Sequence, residues 1–368
     1  MTLQELTTLE KLNDAFYQCK RISAWKESTQ RYESMLLINN TALQDELRNG
    51  AYKVSPTSNF TINERGKLRN IEAPAMRDRI VQKILCKHIL LPQLTPLLIY
   101  DNYASLPGRG TSFARARLER LLREYIGKHG TDGYILQIDI KQYFPSIDHE
   151  ILKQMMHDKI HESVEIMDLI DYIVDSSSNS DKGLNLGSEA PQIFALFYLS
   201  KVDNYIKYVK GIRYYGRYMD DMFVIGNDKE ELKELYAEIK KQLVGLKLAV
   251  NERKTHIIKL THGFTFLQIK YTFNGYKIIK RPTHSKIVRA RKRLKKYKLL
   301  YDKGLMSESD IYNAYKSWRN GMLKDCNTCK KSIDTMDKLY KELFLSHEKV
   351  YKVRRKELIN KAFMEYYQ

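Results

Sequence analysis

Two adjacent aspartates, Asp220 and Asp221, interrupt the otherwise apolar and aromatic stretch RYYGRYMDDMFVIG at residues 213–226. If its flanks are the strands of one hairpin, both acids sit at the turn, where mutual repulsion raises a pKa unless a cation lies between them. A solvated turn and a divalent metal site are the two readings. A further acid lies upstream, in GYILQIDIKQYFPSIDHEIL at residues 133–152. Period-two alternation puts Tyr134, Leu136, Ile138 and Ile140 on one strand face and Asp139 on the other. After Pro145 the pattern turns helical, with Asp148 as a cap ahead of Ile151, Leu152, Met155 and Met156. A lone aspartate of this kind is usually structural. An aspartate on one strand and a pair on a neighbouring hairpin, however, is the arrangement that two-metal phosphoryl transfer needs. Three carboxylates can hold two Mg²⁺ ions about 3.5–4 Å apart, one activating a 3′-hydroxyl and one stabilising a pyrophosphate leaving group.

The elements that must position these acids belong to a chain of 368 residues, 43% hydrophobic, enough for two or three subdomains with their own cores. A net charge of +19 favours a polyanionic partner, nucleic acid before membrane. No apolar stretch approaches a membrane span, and the acidic opening MTLQELTTLEKLNDAF is unlike a signal peptide. A cytoplasmic protein without a membrane partner is expected, and four cysteines agree with a reducing compartment. Residues 1–58 read as an N-terminal helical extension ending in the linker SPTSN, and residues 59–275 alternate strand and helix patterns. Residues 276–368 are densely basic, then Lys- and Tyr-rich and helical in pattern.

YMDD at Tyr218–Asp221 together with DIKQYFPSIDH from Asp139 resembles the reverse transcriptases, specifically the prokaryotic branch of group II intron, retron and diversity-generating enzymes. Four further segments fall in the same order. RGKLRNIEAPAMRDRIVQKIL (65–85) resembles the fingers segment, which implies that Lys67 and Arg69 meet the triphosphate. GLNLGSEAPQIFALFYLSKVDNYI (183–206) resembles the turn, here with Gly187, and the helix under the template and nascent pair, with Gln192 near the incoming nucleotide. LKLAVNERKTHII (246–258) carries Lys254, which the resemblance makes the proton donor to pyrophosphate, and FTFLQIKY (264–271) resembles the primer grip. Phe144 stands where the family has an aromatic gate against a ribose 2′-hydroxyl; an ordinary core phenylalanine is the alternative. The resemblance makes Asp139 and Asp220 the essential metal ligands and Asp221 a supporting acid, with the Ile140 carbonyl completing a shell for two Mg²⁺ ions for which Mn²⁺ can substitute.

The implied fold is α+β, a right-hand polymerase with fingers, a palm built on an antiparallel sheet, and a helical thumb. The implied activity is RNA-directed DNA polymerisation from an RNA template, a DNA or RNA primer and dNTPs, in a retroelement or in antiviral defence, with room for a cognate noncoding RNA and an accessory protein. An RNA-dependent RNA polymerase and a maturase-like RNA-binding protein are the alternatives, and the length suggests no ribonuclease H domain. Leu186 stands before Gly187 where many relatives have Gln, which resembles the diversity-generating enzymes, whereas the downstream SQ of those enzymes appears here as Pro191-Gln192. In RARKRLKKYK, the residues Arg291, Lys292, Arg293, Lys295 and Lys296 suit a thumb helix tracking phosphates, with a solvated face as the alternative. His149 and Arg109 are weaker candidates for template or triphosphate contact, and Cys326 and Cys329 form half of a zinc site.

Overall fold

The computed structural model describes residues 1–64 and 67–345, without the side chains of Glu64, Lys67 and Arg69. Two compact units emerge, one from residues 1–118 with 134–257 and the other from 119–133 with the chain beyond Ile257.

The first unit opens with helices Leu3–Leu6, Leu9–Lys20, Glu27–Ser34 and Leu36–Arg48. A capping box of Thr2 and Glu5 starts the first, and Leu12, Ala15, Phe16 and Cys19 give the second a buried stripe at helical spacing. These helices share one hydrophobic core with Leu136, Ile138 and Ile140. The apolar stripe of these helices is buried on the helix Met76–Leu85 and its surroundings.

Strands β1 (Ser58–Glu64) and β2 (Lys67–Ala73) form an antiparallel hairpin. A second sheet holds β3 (Tyr134–Asp139), β4 (Tyr215–Tyr218), β5 (Asp221–Gly226) and β6 (His256–Lys259), in the order β4-β5-β3-β6. Only the first two residues of β6 belong to this unit. Leu136, Ile138 and Ile140 are buried and Asp139 is half-buried, as the alternation requires. Behind the sheet, the helix Glu189–Tyr198 is buried over nearly its whole length, and Asp148 caps the helix His149–His157 by accepting from the Ile151 N–H at 3.1 Å.

In the second unit β7 (Phe264–Phe266), β8 (Ile269–Asn274) and β9 (Lys277–Pro282) make an antiparallel meander. Helices His284–Asp302, Glu308–Asp325 and Lys330–Phe344 pack Ala290, Leu294, Ile311, Tyr315, Met336 and Tyr340 into a small core. Gly275, beyond which the composition turns basic, is the first turn residue of the β8–β9 hairpin, at φ +54°. The two compact units divide after Ile257.

Gly216 in β4 shows how tightly the sheet is covered. A Cβ there would lie 2.2 Å from the hydroxyl oxygen of the fully buried Tyr103, whose ring stacks on Phe223. Gly216→Ala should lower the unfolding free energy by about 1–3 kcal/mol. Gly245→Ala, in open space at the end of helix Lys229–Gly245, should be neutral or gain up to about 1 kcal/mol. Denaturant unfolding of both compares them, and equal stabilities would contradict the packing.

Candidate active site

Strand register brings the acids together. β3 and β5 run antiparallel with Asp139 opposite Asp221, while β4 and β5 pair Tyr218 with Asp221 and leave Met219 and Asp220 as the two turn residues. Only the first of these has positive φ, Met219 at +53°, the pattern of a type II′ turn, where glycine is usual. A side chain in that region costs about 1–3 kcal/mol and persists only where the surroundings hold it.

What holds it is Arg217. This side chain is fully buried, as is Asp203, and its Nε donates to both Asp203 oxygens at 2.9 and 3.0 Å. Nη2 donates to Asp203 Oδ2 at 2.6 Å and to the Leu196 carbonyl at 2.9 Å, while Nη1 donates to the Met219 carbonyl at 3.0 Å. Burial works against the guanidinium charge, but Asp203 keeps its pKa above the ordinary value. The Tyr215 hydroxyl donates to the same carboxylate at 2.5 Å. Arg217 is also tied through its backbone, to the Asp101 carbonyl and the Tyr103 N–H, both at 2.9 Å. Asp101 is itself buried between Arg117 at 2.8 Å and Lys207 at 3.1 Å. Removing one partner of such a buried pair typically costs about 3–5 kcal/mol.

Asp139 is 13% exposed, and both its oxygens accept from Lys254 Nζ at 2.8 Å. Asn251 Nδ2 donates to Oδ2 at 2.9 Å, and the Asn251 N–H donates to the Asp139 carbonyl at 2.7 Å. Burial pulls the Lys254 pKa down, but the hydrogen bond to Asp139 and the charges of Asp139, Asp220 and Asp221 outweigh it, leaving the ammonium above its ordinary value. Ile140 bridges to Val250 through the flanking groups, the Asp139 carbonyl and the Lys141 N–H, so its own carbonyl takes no part in those two bonds.

Among the described residues no three His, Cys, Asp or Glu side chains are gathered closely enough to enclose a metal ion. The donor chemistry nonetheless fits a hard divalent cation: carboxylates from adjoining strand ends and a neighbouring carbonyl are all oxygen, and a cation, the Lys254 ammonium, already sits across Asp139.

Of the other expected residues, Phe144 is half-buried in the short helix Tyr143–Ser146, edge-on to Tyr143. Gln142 just before it has φ +47°, turning the chain out of the strand. The Phe144 carbonyl accepts from the Leu184 N–H at 2.9 Å, which ties it to the segment leading into Gly187. At Gly187 the φ of +122° is one that side chains rarely adopt, and a Cβ would lie a tight 3.1 Å from the Glu72 carbonyl on β2. Gln192 accepts from the Ser105 hydroxyl at 2.8 Å. Arg291, Lys292, Arg293, Lys295 and Lys296 are all exposed on the helix His284–Asp302 of the second unit. The side chains of Lys67 and Arg69 lie outside the described residues, although their backbones are in β2.

His149 is buried, with Nε2 2.7 Å from the Gly183 carbonyl. Arg109 donates to the carbonyls of Tyr100 and Asn102 within its own loop. Cys326 and Cys329 are buried thiols at the junction of two helices, and burial pushes the Cys329 pKa up. Arg217, Asp203 and Asn251 are the residues that sequence reasoning missed. A signal existed for Arg217: alternation along YYGRY puts it on the same face as Tyr215, and an arginine on a core-facing position demands an acid.

Residues 56–273 match the family model for Reverse transcriptase (RNA-dependent DNA polymerase), more than half of the chain. The chain belongs to the reverse transcriptase family, whose fold is the α+β right-hand polymerase and whose enzymes are RNA-directed DNA polymerases. It is 24% identical to Protein YkfC of Escherichia coli (strain K12) over 280 residues, covering 64% of this chain and 71% of that protein. Among solved structures it is similar to apo telomerase from Candida tropicalis, with a TM-score of 0.48, 14% identity and coverage of 79% of this chain and 58% of that one. Telomerase from Candida albicans in complex with a TWJ fragment of telomeric RNA gives a TM-score of 0.47 and 12% identity over 78% and 55%. The chain thus spans a little over half the length of these telomerase chains.

Asp139→Asn should lower the pKa of Lys254, because it removes the charge that opposes the burial of the ammonium. NMR titration of the lysine side chains measures this, and an unshifted Lys254 would contradict the pairing.

Proposed function

We propose that this chain is itself an RNA-directed DNA polymerase that adds dNTPs to a DNA or RNA primer on an RNA template. The observation that carries the reading is the register of Asp139 against Asp221, with Asp220 in the adjoining turn, inside the segment that matches the family. When bound, two Mg²⁺ ions, or Mn²⁺ in their place, would activate the primer hydroxyl and stabilise charge on the leaving pyrophosphate. Asp139 and Asp220 would hold them, supported by Asp221 and the Ile140 carbonyl. Lys254, displaced from Asp139, would donate a proton from Nζ to the pyrophosphate. The Phe144 ring excludes a ribose 2′-hydroxyl, which favours DNA over RNA synthesis. Lys67, Arg69 and Gln192 would meet the triphosphate, and Gly187 would underlie the template.

We assign residues 59–275 to fingers and palm and the region beyond to the thumb, where Arg291, Lys292, Arg293, Lys295 and Lys296 would follow the phosphates. Leu186 before Gly187 supports a retroelement of the diversity-generating type, with antiviral defence as the other setting for such an enzyme. Among the described residues no helix is long and apolar enough to cross a membrane.

Asp220→Asn should abolish nucleotide addition and leave primer–template affinity within about twofold, because it removes a metal ligand and no basic contact. Primer extension and a binding titration read the two separately; continued extension by the folded variant would refute the metal assignment. Phe144→Val should raise ribonucleotide relative to deoxynucleotide incorporation, and an unchanged ratio returns Phe144 to a packing role. Replacing Lys292, Arg293, Lys295 and Lys296 by alanine should weaken binding of all sequences alike and flatten its salt dependence by roughly one unit of slope per lost phosphate contact. An unchanged slope would make the run a solvated face.

A further inference from the structure

The Met219–Asp220 turn is under control from within the fold. Arg217 spends one arm of its guanidinium on the Met219 carbonyl and the rest on Asp203 and on Leu196. Leu196 lies in the last turn of the helix Glu189–Tyr198, where carbonyls lack partners within the helix, so the guanidinium caps that helix and grips the turn at once. Its backbone is held on the other side by Asp101 and Tyr103. A lysine could not do this, since its single ammonium cannot reproduce a planar fork of donors. Well-packed apolar residues would serve stability as well as a buried ion pair does. The geometry delivered to the turn is what the pair adds.

We propose that Arg217, locked by Asp203, is a positioning residue that sets the divalent-cation affinity of the site by fixing the direction in which the turn presents Asp220. The proposal rests on the metal-dependent polymerase reading above. The Arg217 guanidinium is committed to Asp203, Leu196 and Met219, so it would act through the Met219 carbonyl, one residue before the ligand. Outer-shell partners of this kind commonly alter metal affinity by about 10–100-fold when removed.

The test is Mn²⁺ binding to the full chain, followed by electron paramagnetic resonance without nucleotide. Four variants are compared with the parent. Asp220→Asn identifies the site. Arg217→Lys keeps a buried cation but not the fork. The double variant Arg217→Met with Asp203→Leu removes the pair without leaving a lone buried charge. Tyr52→Phe serves as a stability control, because it takes a donor from the fully buried Asp78, and its hydrogen-bond and ring partners Asp78, Tyr172 and Arg77 lie outside residues 215–221.

Arg217→Lys and the double variant should fold and bind Mn²⁺ at least about tenfold more weakly. Tyr52→Phe should lose stability and keep the parent affinity. Parent-like affinity in a folded Arg217 variant, an equal loss in Tyr52→Phe, or parent binding that Asp220→Asn leaves intact would each overturn the proposal. Failure of both Arg217 variants to fold would overturn it too, by assigning the pair to holding the fold together. Primer extension by the parent is measured separately. A parent that binds Mn²⁺ at Asp220 but adds no nucleotide sinks the polymerase reading while leaving the Arg217 comparison valid.

Discussion

The ion pair of Arg217 and Asp203, with both side chains fully buried, is the constraint around which the first unit is organised. A buried guanidinium and carboxylate must satisfy nearly all of their hydrogen-bonding capacity, so every element nearby is committed to a place. The helix Glu189–Tyr198 supplies a carbonyl from its last turn, the helix Ser200–Asn204 supplies the acid, β4 supplies the arginine, and the turn after β4 supplies the final acceptor. The same side chain that anchors the sheet to its helices therefore holds the least relaxed backbone of the hairpin, at Met219.

Above that anchor the electrostatics run the other way. A chain with a net charge of +19 concentrates acids at the ends of β3 and β5 and covers one of them with the Lys254 ammonium. Such a lysine serves two states. Without a divalent cation it compensates Asp139, whose hydrogen bond and charge hold the ammonium's pKa above the ordinary value against burial; with one bound at the carboxylates it would be displaced. Asn251 holds Asp139 through both side chain and backbone, independently of the lysine.

Local pattern revealed much of this. The alternation around Asp139 and the cap at Asp148 follow from period and spacing, and the structure has them there; of the two acids expected at the hairpin turn, Asp220 lies in it and Asp221 opens β5. Gly187 was legible as a turn but not as the point where the chain presses on the β2 backbone, since that depends on a segment more than a hundred residues away. The limits of the units were less legible. Basic composition described the surface of the helices after Gly275, while the border after Ile257 falls within a short strand that has no compositional mark. Asp203 was hidden for a related reason: it reads as an ordinary polar position on an amphipathic helix until a buried arginine across the fold demands it.

The central claim is that Asp139 and Asp220 exchange the lysine for divalent cations at the end of this sheet. The most direct measurement is anomalous diffraction from crystals of the chain with Mn²⁺, a primer–template and an unreactive dNTP analogue. The account predicts anomalous density bridging the carboxylates of Asp139 and Asp220, with Lys254 Nζ withdrawn from Asp139. Anomalous density elsewhere, or Lys254 still bonded to both oxygens of Asp139, would contradict it.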